Sequence, residues 1–250
     1  MDELLNILYE DGELLVVNKP AGLVCHPTKG NARSSLIGRS RLYLGNDAKI
    51  HLLNRLDRET SGMVLFAKTD LAAKEIRGVF EARLVEKCYE AIVVGWPAEE
   101  RGEIADPIGR DSTSEVAIKR AVATDGAPAR TRFKVSRRFK RDEGRFALLE
   151  VFPQTGRTHQ IRVHLSHYGY PIVGDKIYGG DERLYLDFVA RRLSDEQRAR
   201  LLLPCQALHA RTLEFEWRGK PWRFAAGAEA WFTKFAAGDD LPGDWAERFV

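Results

Sequence analysis

Residues 54–68 read Asn54-Arg55-Leu56-Asp57-Arg58-Glu59-Thr60-Ser61-Gly62-Met63-Val64-Leu65-Phe66-Ala67-Lys68. The first nine crowd charges and hydroxyls into a stretch that neither a core strand nor a core helix would accept. The rest, Met63 to Lys68, is an apolar run of strand length. Asp57 lies between two arginines, an arrangement that favours its ionised form. A surface turn with an ordinary ion pair would look the same. A sharper alternative pairs Asp57 with Glu59 as the two carboxylates of a glycoside hydrolase, since residues i and i+2 of an extended segment share a face. The arginines count against it, because they oppose the raised pKa that its acid needs.

Working outward, residues 7–9 and 14–18 flank Glu10-Asp11-Gly12 and read as a hairpin. Beyond the Met63 strand, Leu71, Ile76, Val79, Phe80 and Leu84 recur near helical spacing behind Thr69-Asp70, predicting a capped helix over 70–84. Strands are expected over 89–95, 116–122, 131–139 and 146–152. Helical spacing returns after Gln154-Thr155-Gly156, with Ile161, Leu165 and Tyr168 on one face and Gly169 as the stop. A helix over 194–203, a strand over 208–217 and a short helix over 228–235 complete the pattern. Strand runs outnumber helices and cluster together, which favours an α+β fold over a doubly wound one.

The chain has 250 residues, 44% hydrophobic and 30% charged, enough to bury a core without disulfides and outside the disordered and membrane compositions. Cys25, Cys88 and Cys205 stand far apart with no CxxC, which points to a reducing compartment. The acidic start and the short apolar run at 14–17 make neither a signal peptide nor a membrane span, so a cytoplasmic protein is expected. Glycine-rich nucleotide loops, HExxH and GxSxG are absent from the sequence. His159, His164 and His167 do not all share a helix face, and no metal site and no cofactor are expected.

The net charge is only +3, yet from Ala129 to Arg145 the residues Arg130, Arg132, Lys134, Arg137, Arg138, Lys140, Arg141 and Arg145 stand against Asp142 and Glu143 alone. Phe133, Phe139 and Phe146 are interleaved. On a strand this alternation would put a positive stripe on one face, suited to a phosphate backbone; a solvated face beside a charged turn is the alternative. A second polar concentration, Thr155-Gly156-Arg157-Thr158-His159-Gln160-Ile161-Arg162-Val163-His164, enters a helix. Amides at that helix start, with Arg157 and His159, offer an anion site, and Arg162 is placed to pair a buried carboxylate. A plain turn with a capping threonine is the alternative.

Taken in order, NRLDRETSG with MVLFAKT, then Lys87-Cys88-Tyr89-Glu90-Ala91-Ile92-Val93-Val94-Gly95, then TGRTHQIRVHL closely resemble the motifs of the RluA family of pseudouridine synthases. ILYEDGELLVVNKPAGLVCHP resembles the family's opening hairpin and Asp106-Pro107-Ile108-Gly109-Arg110 its middle loop. Gly174-Asp175, Tyr178-Gly179 and Leu208-His209-Ala210 resemble its last third. The likeness covers about residues 7–217. The family usually carries histidine where Asn54 stands, a change expected to touch substrate preference or rate, since Arg55-Leu56-Asp57 is intact. The small RNA-binding domain that many relatives carry ahead of the hairpin is not in this sequence.

The resemblance implies a pseudouridine synthase catalytic fold: a mixed, mainly antiparallel central sheet split into two subdomains by a catalytic cleft and flanked by helices. A single catalytic domain over 1–250 is expected, with 218–250 as a C-terminal extension. It implies isomerisation of uridine in structured ribosomal or transfer RNA by base flipping, with no cofactor, by a monomer away from any membrane. Asp57 matches the essential aspartate. Arg162 matches its basic partner, expected about 3 Å from it, and Tyr89 the pocket tyrosine. Arg55 would fill the vacated stack or grip a phosphate, Arg58, Arg157 and His159 would contact RNA, and Ile161 would form an apolar wall. The alternative is a non-catalytic RNA-binding or chaperone module on the same fold, which would not need Asp57, Tyr89 and Arg162 together.

Overall fold

The first hairpin closes because the Asp11 carboxylate caps its turn. Oδ1 accepts from the amides of Glu13 and Leu14 at 2.8 and 2.7 Å, and Oδ2 from the Tyr9 hydroxyl at 2.8 Å. The computed structural model describes residues 5–26, 32–45, 48–239 and 241. Its first elements are β1 (Ile7–Glu10), β2 (Leu14–Lys19), α1 (Leu36–Leu44), β3 (His51–Leu52), β4 (Ser61–Ala67), α2 (Asp70–Glu81) and β5 (Glu86–Val94). There follow β6 (Arg101–Ile104), β7 (Ile108–Arg110), β8 (Arg120–Val122), β9 (Thr131–Arg141), β10 (Gly144–Pro153) and α3 (Gln160–His167). The chain ends through α4 (Arg183–Val189), α5 (Asp195–Leu201), β11 (Leu208–Trp217), β12 (Lys220–Ala225) and α6 (Ala230–Ala237). It divides into two units, residues 1–88 with 209–229 and residues 89–208 with 230–250. Among the described residues, no helix is long and apolar enough to cross a membrane.

In the first unit β2 pairs antiparallel with β1 and β4, β3 with β4, and β11 with β12, while β4 and β11 run parallel. Every residue of β4 is buried, which is why its sequence is a continuous apolar run without alternation. Helix α2 lays Ala72, Ala73 and Ile76 into the same core as Leu14, Val16, Met63, Leu65, Phe215 and Trp217. Thr69 caps it, Oγ1 accepting from the Ala72 amide at 3.2 Å. It stops at Glu81, short of the expected 84, because Arg83 turns left-handed (φ 59°) and its amide folds back onto the Phe80 carbonyl. His209 ties the unit together from inside: Nε2 faces the Ala226 carbonyl and so carries the proton, leaving Nδ1 to accept from the Ser61 hydroxyl. Burial lowers its pKa and keeps the ring neutral.

In the second unit β5, β10, β9 and β6 form an antiparallel sheet, and β7 and β8 a separate pair. Helix α3 packs against β9 and β10, and Val163 joins Ile108, Val116, Ala129, Ile177 and Tyr178 in a shared core. Of the pairings named in both units only β4–β11 is parallel, in keeping with the mainly antiparallel α+β fold expected.

Two further expectations need correction. The strand over 116–122 is only β8. Residues 116–119 turn instead, because Val116 is drawn into the core and Lys119 reaches Glu182 at 2.7 Å and Asp111 at 3.3 Å. The basic run does not lie on one face of a strand. Opposite β10, Val135 pairs with Leu149 but Arg137 with Leu148, so Ser136 is an extra residue that reverses the alternation. Arg132, Lys134, Arg137 and Arg141 share one face, and Arg138 and Lys140 lie on the other with Arg145 of β10.

Gly62 opens β4 at φ 110°, where a Cβ would stand 2.3 Å from the Ala210 carbonyl oxygen. Gly62→Ala is expected to destabilise the protein by more than about 1–2 kcal/mol. An unchanged urea midpoint would show that β11 need not approach this closely.

Candidate active site

The Asp57 segment follows β3, and side chains take over where the ladder ends. The Leu53 amide still bonds the Leu65 carbonyl at 3.0 Å. One residue on, the Asn54 carboxamide replaces the backbone: Oδ1 accepts from the Leu65 amide at 2.7 Å and Nδ2 donates to the Met63 carbonyl at 3.1 Å. Leu56 is held by Cys25, whose sulfur lies 3.4 Å from its carbonyl oxygen and 3.5 Å from its amide. Burial pushes the Cys25 thiol up, so it serves as a neutral donor. Arg58 is clasped by Gly22, the Gly22 amide donating to the Arg58 carbonyl and Arg58 Nε to the Gly22 carbonyl. The Thr60 amide closes the turn on the Asp57 carbonyl.

Beneath this segment lies Lys19, with 0% exposure. Its ammonium donates to the carbonyls of Pro20, Leu23 and Arg58 at 2.9, 2.8 and 3.1 Å, the hydrogen bonding that a buried charge requires. Asp57 is thus presented half-buried from a backbone fixed on both sides, with Arg55 and Arg58 exposed beside it. Lys19 was not anticipated; its signal was a lysine ending an otherwise apolar strand.

In the second unit, Arg162 pairs with the buried carboxylate of Asp175. Nε donates to Asp175 Oδ2 at 2.7 Å and Nη2 to Oδ1 at 2.9 Å, with the side chains 6% and 0% exposed. Oδ1 also accepts from the Ile177 and Tyr178 amides. Burial works to raise the Asp175 carboxyl, but the Arg162 charge, its hydrogen bonds and those amides outweigh it and hold the group below the ordinary aspartate value. The guanidinium also lies over the Tyr178 ring, 5.0 Å from its centre. The Tyr178 oxygen accepts from the Arg120 amide at 2.9 Å and shares a hydrogen bond of 2.9 Å with His159 Nδ1.

His159 precedes α3 in a left-handed conformation (φ 58°). This strain is held by Gln160, whose buried carboxamide accepts from Thr155 Oγ1 and the Arg157 amide and donates to the Arg130 carbonyl and Thr131 Oγ1. Two groups at the expected anion site, the amides of Arg157 and Gln160, are therefore engaged within the turn. Arg157 Nε reaches the Pro128 carbonyl, Ile161 is buried, and Tyr89 stands on β5 opposite Val151, partly exposed. His164 is a buried structural group, bonded to Thr131 and the Asp106 carbonyl, and burial lowers its pKa. Among the described residues no group of three His, Cys, Asp or Glu side chains is arranged to hold a metal ion. The first unit thus gathers Arg55, Asp57 and Arg58, and the second holds Tyr89, Arg157, His159, Ile161 and Arg162.

Asn54→Ala strands a buried amide and carbonyl and is expected to cost about 1–3 kcal/mol. Asn54→His should recover most of it, since a neutral imidazole offers one donor and one acceptor. Equal urea midpoints for the Ala and His variants would refute the clip. For Asp175 the folded pKa lies below the unfolded one, so its contribution is complete above about pH 4 and is lost as pH falls through the folded value. Asp175→Asn is expected to cost about 3–5 kcal/mol at pH 7, with the gap to the parent narrowing in acid. A gap of the same size at pH 7 and pH 3 would contradict this.

Comparison with known proteins extends these local findings. The family model for RNA pseudouridylate synthase matches residues 13–167. A Pseudomonas aeruginosa protein named ribosomal large subunit pseudouridine synthase D is 40% identical over 216 residues, covering 85% of this chain and 64% of the relative. A Chloroflexus aurantiacus protein named uncharacterized RNA pseudouridine synthase is 44% identical over 167 residues, covering 65% of this chain and 51% of the relative. This chain thus spans about half to two thirds of the length of these curated relatives. Among solved structures, human RNA pseudouridylate synthase domain containing 4 matches with a TM-score of 0.70 at 29% identity, covering 91% of this chain and 90% of that one. The human domain containing 1 protein matches with a TM-score of 0.71 at 26% identity, covering 91% and 86%. The ordered motifs that resemble the RluA family and the matches along most of the sequence agree: the chain belongs to the RNA pseudouridylate synthase family.

Proposed function

We propose that this chain isomerises uridine to pseudouridine in structured RNA, with large-subunit ribosomal RNA as the substrate class, working as a cytoplasmic monomer without a cofactor. The observation that carries the reading is Asp57 on a backbone fixed by Asn54, Cys25, Gly22 and Lys19, inside the sequence motif that the family shares. The reaction breaks the bond from C1′ to ring nitrogen 1, forms one from C1′ to ring carbon 5, and moves the proton of carbon 5 to a nitrogen. Atoms balance without oxidant, reductant or energy source. A stacked uracil cannot turn over, so the nucleotide is flipped out first.

Asp57 supplies the carboxylate that acts at C1′, where positive charge develops. Arg162 supplies a cation whose direction is set by its two bonds to Asp175. Tyr89 offers a ring for the base to stack on and a hydroxyl to help remove the carbon 5 proton. Arg55 and Arg58, exposed beside Asp57, reach the RNA backbone, as do Arg157 and His159, and Ile161 closes an apolar wall.

Asp57→Asn is expected to leave RNA binding within about threefold of the parent and to lower conversion by about 10³-fold or more. The check is pseudouridine mapping of ribosomal and transfer RNA in cells lacking the protein, complemented with the parent or the variant. Sites restored by the variant as fully as by the parent would overturn the assignment of Asp57, and no site lost on deletion would overturn the activity.

A further inference from the structure

We propose that Lys140 and Arg145, stacked on Trp96 at the end of the β9–β10 hairpin, bind a backbone phosphate of the RNA away from the target nucleotide. The inference rests on the reading of the chain as a protein that acts on RNA. Lys140 and Arg145 are direct cross-strand partners, both exposed. Like charges placed opposite one another destabilise a hairpin, and here neither has a carboxylate within ion-pair distance among the described residues. Four neighbouring cations of the basic run are matched: Arg130 by Glu103 at 2.9 Å, Lys134 by Glu150 at 3.2 Å, Arg138 by Glu100, and Arg141 by Glu143 at 3.1 Å. Arg137 and Arg141 also donate to carbonyls at the end of α6, from Phe235, Ala236 and Asp239. At the turn itself, Glu143 is taken by Arg141, which leaves Asp142 as the other acidic neighbour.

The unmatched pair is built, not merely present. The Lys140 ammonium and the Arg145 guanidinium lie 5.5 and 4.9 Å from the centre of the Trp96 ring. The indole is pinned, its Nε1 donating to the carbonyls of both Phe139 and Phe146 at 3.2 and 3.0 Å. Two cations thus stand on a fixed platform with their repulsion unrelieved, an arrangement that an anion between them would stabilise. A guanidinium fork beside an ammonium suits the oxygens of a phosphate. Arg145 is six residues along β10 from Val151, the partner of Tyr89, which sets the pair about 20 Å from that tyrosine. At that distance it holds flanking RNA and takes no part in bond exchange.

The test compares the parent with the double variant Lys140→Gln, Arg145→Gln for binding to large-subunit ribosomal RNA across a salt series, with single-turnover conversion at saturating RNA. Loss of phosphate contacts is expected to weaken binding about tenfold and to flatten the logarithmic salt dependence by about 1–2, with conversion at saturation unchanged. Unchanged affinity and slope would overturn the proposal. So would an equal effect from Arg130→Gln, whose cation is already matched by Glu103. A parent that binds RNA with this salt dependence but makes no pseudouridine would overturn the proposed activity and leave the phosphate site standing.

Discussion

A carboxylate closed off from water organises the second unit. Asp175 receives two hydrogen bonds from Arg162 and two from backbone amides, so its charge is fully answered inside the protein. A charged pair buried this deeply costs more in desolvation than it returns unless every lone pair is met. Meeting them fixes α3 against residues 175–178, and through Tyr178 it reaches Arg120 and His159. The direction of the Arg162 guanidinium is therefore coupled to the stability of the unit.

The first unit solves the same problem with the sign reversed. Lys19 is a buried cation answered by carbonyl dipoles, one of which belongs to Arg58. Asn54, Cys25 and Gly22 add three more points of attachment, each with backbone as at least one partner. Main chain and side chains of the segment are thereby both committed, with the Asn54 carboxamide and Arg58 Nε bonded to backbone at either end of it. A loop of this kind has the precision of a strand without needing a partner strand.

Much of this was legible in the sequence because it is periodic or contiguous. The first hairpin, α2 and the 208–217 strand announce themselves by alternation, helical spacing and caps, and the polar segments around Asp57 and Arg162 stood out because no core element would carry them. Helix α1 was not legible: Gly38-Arg39-Ser40-Arg41 interrupts any apolar period. The short strands β6 and β7 carry too few residues to alternate. Nothing in the sequence marked Asp175, 13 positions from Arg162, as a carboxylate that it would bind. Gln160 was equally silent, since its bonds reach residues 29 and 30 positions back. Chain proximity shows in a sequence; a contact made by folding does not.

Ser136 sets a limit on how this family member can vary. The extra residue turns Arg137, Phe139 and Arg141 toward α6, where Phe139 and Phe146 meet the Phe235 ring, and turns Lys140 toward Trp96. Loss of one residue from β9 would regularise the ladder yet exchange the two sets, sending an arginine and a lysine toward the aromatic cluster and a phenylalanine toward solvent. Strand length here is thus inherited as a parity. Descendants of this sequence can gain or lose residues at the Asp142-Glu143 turn far more freely than a single residue at Ser136, within β9.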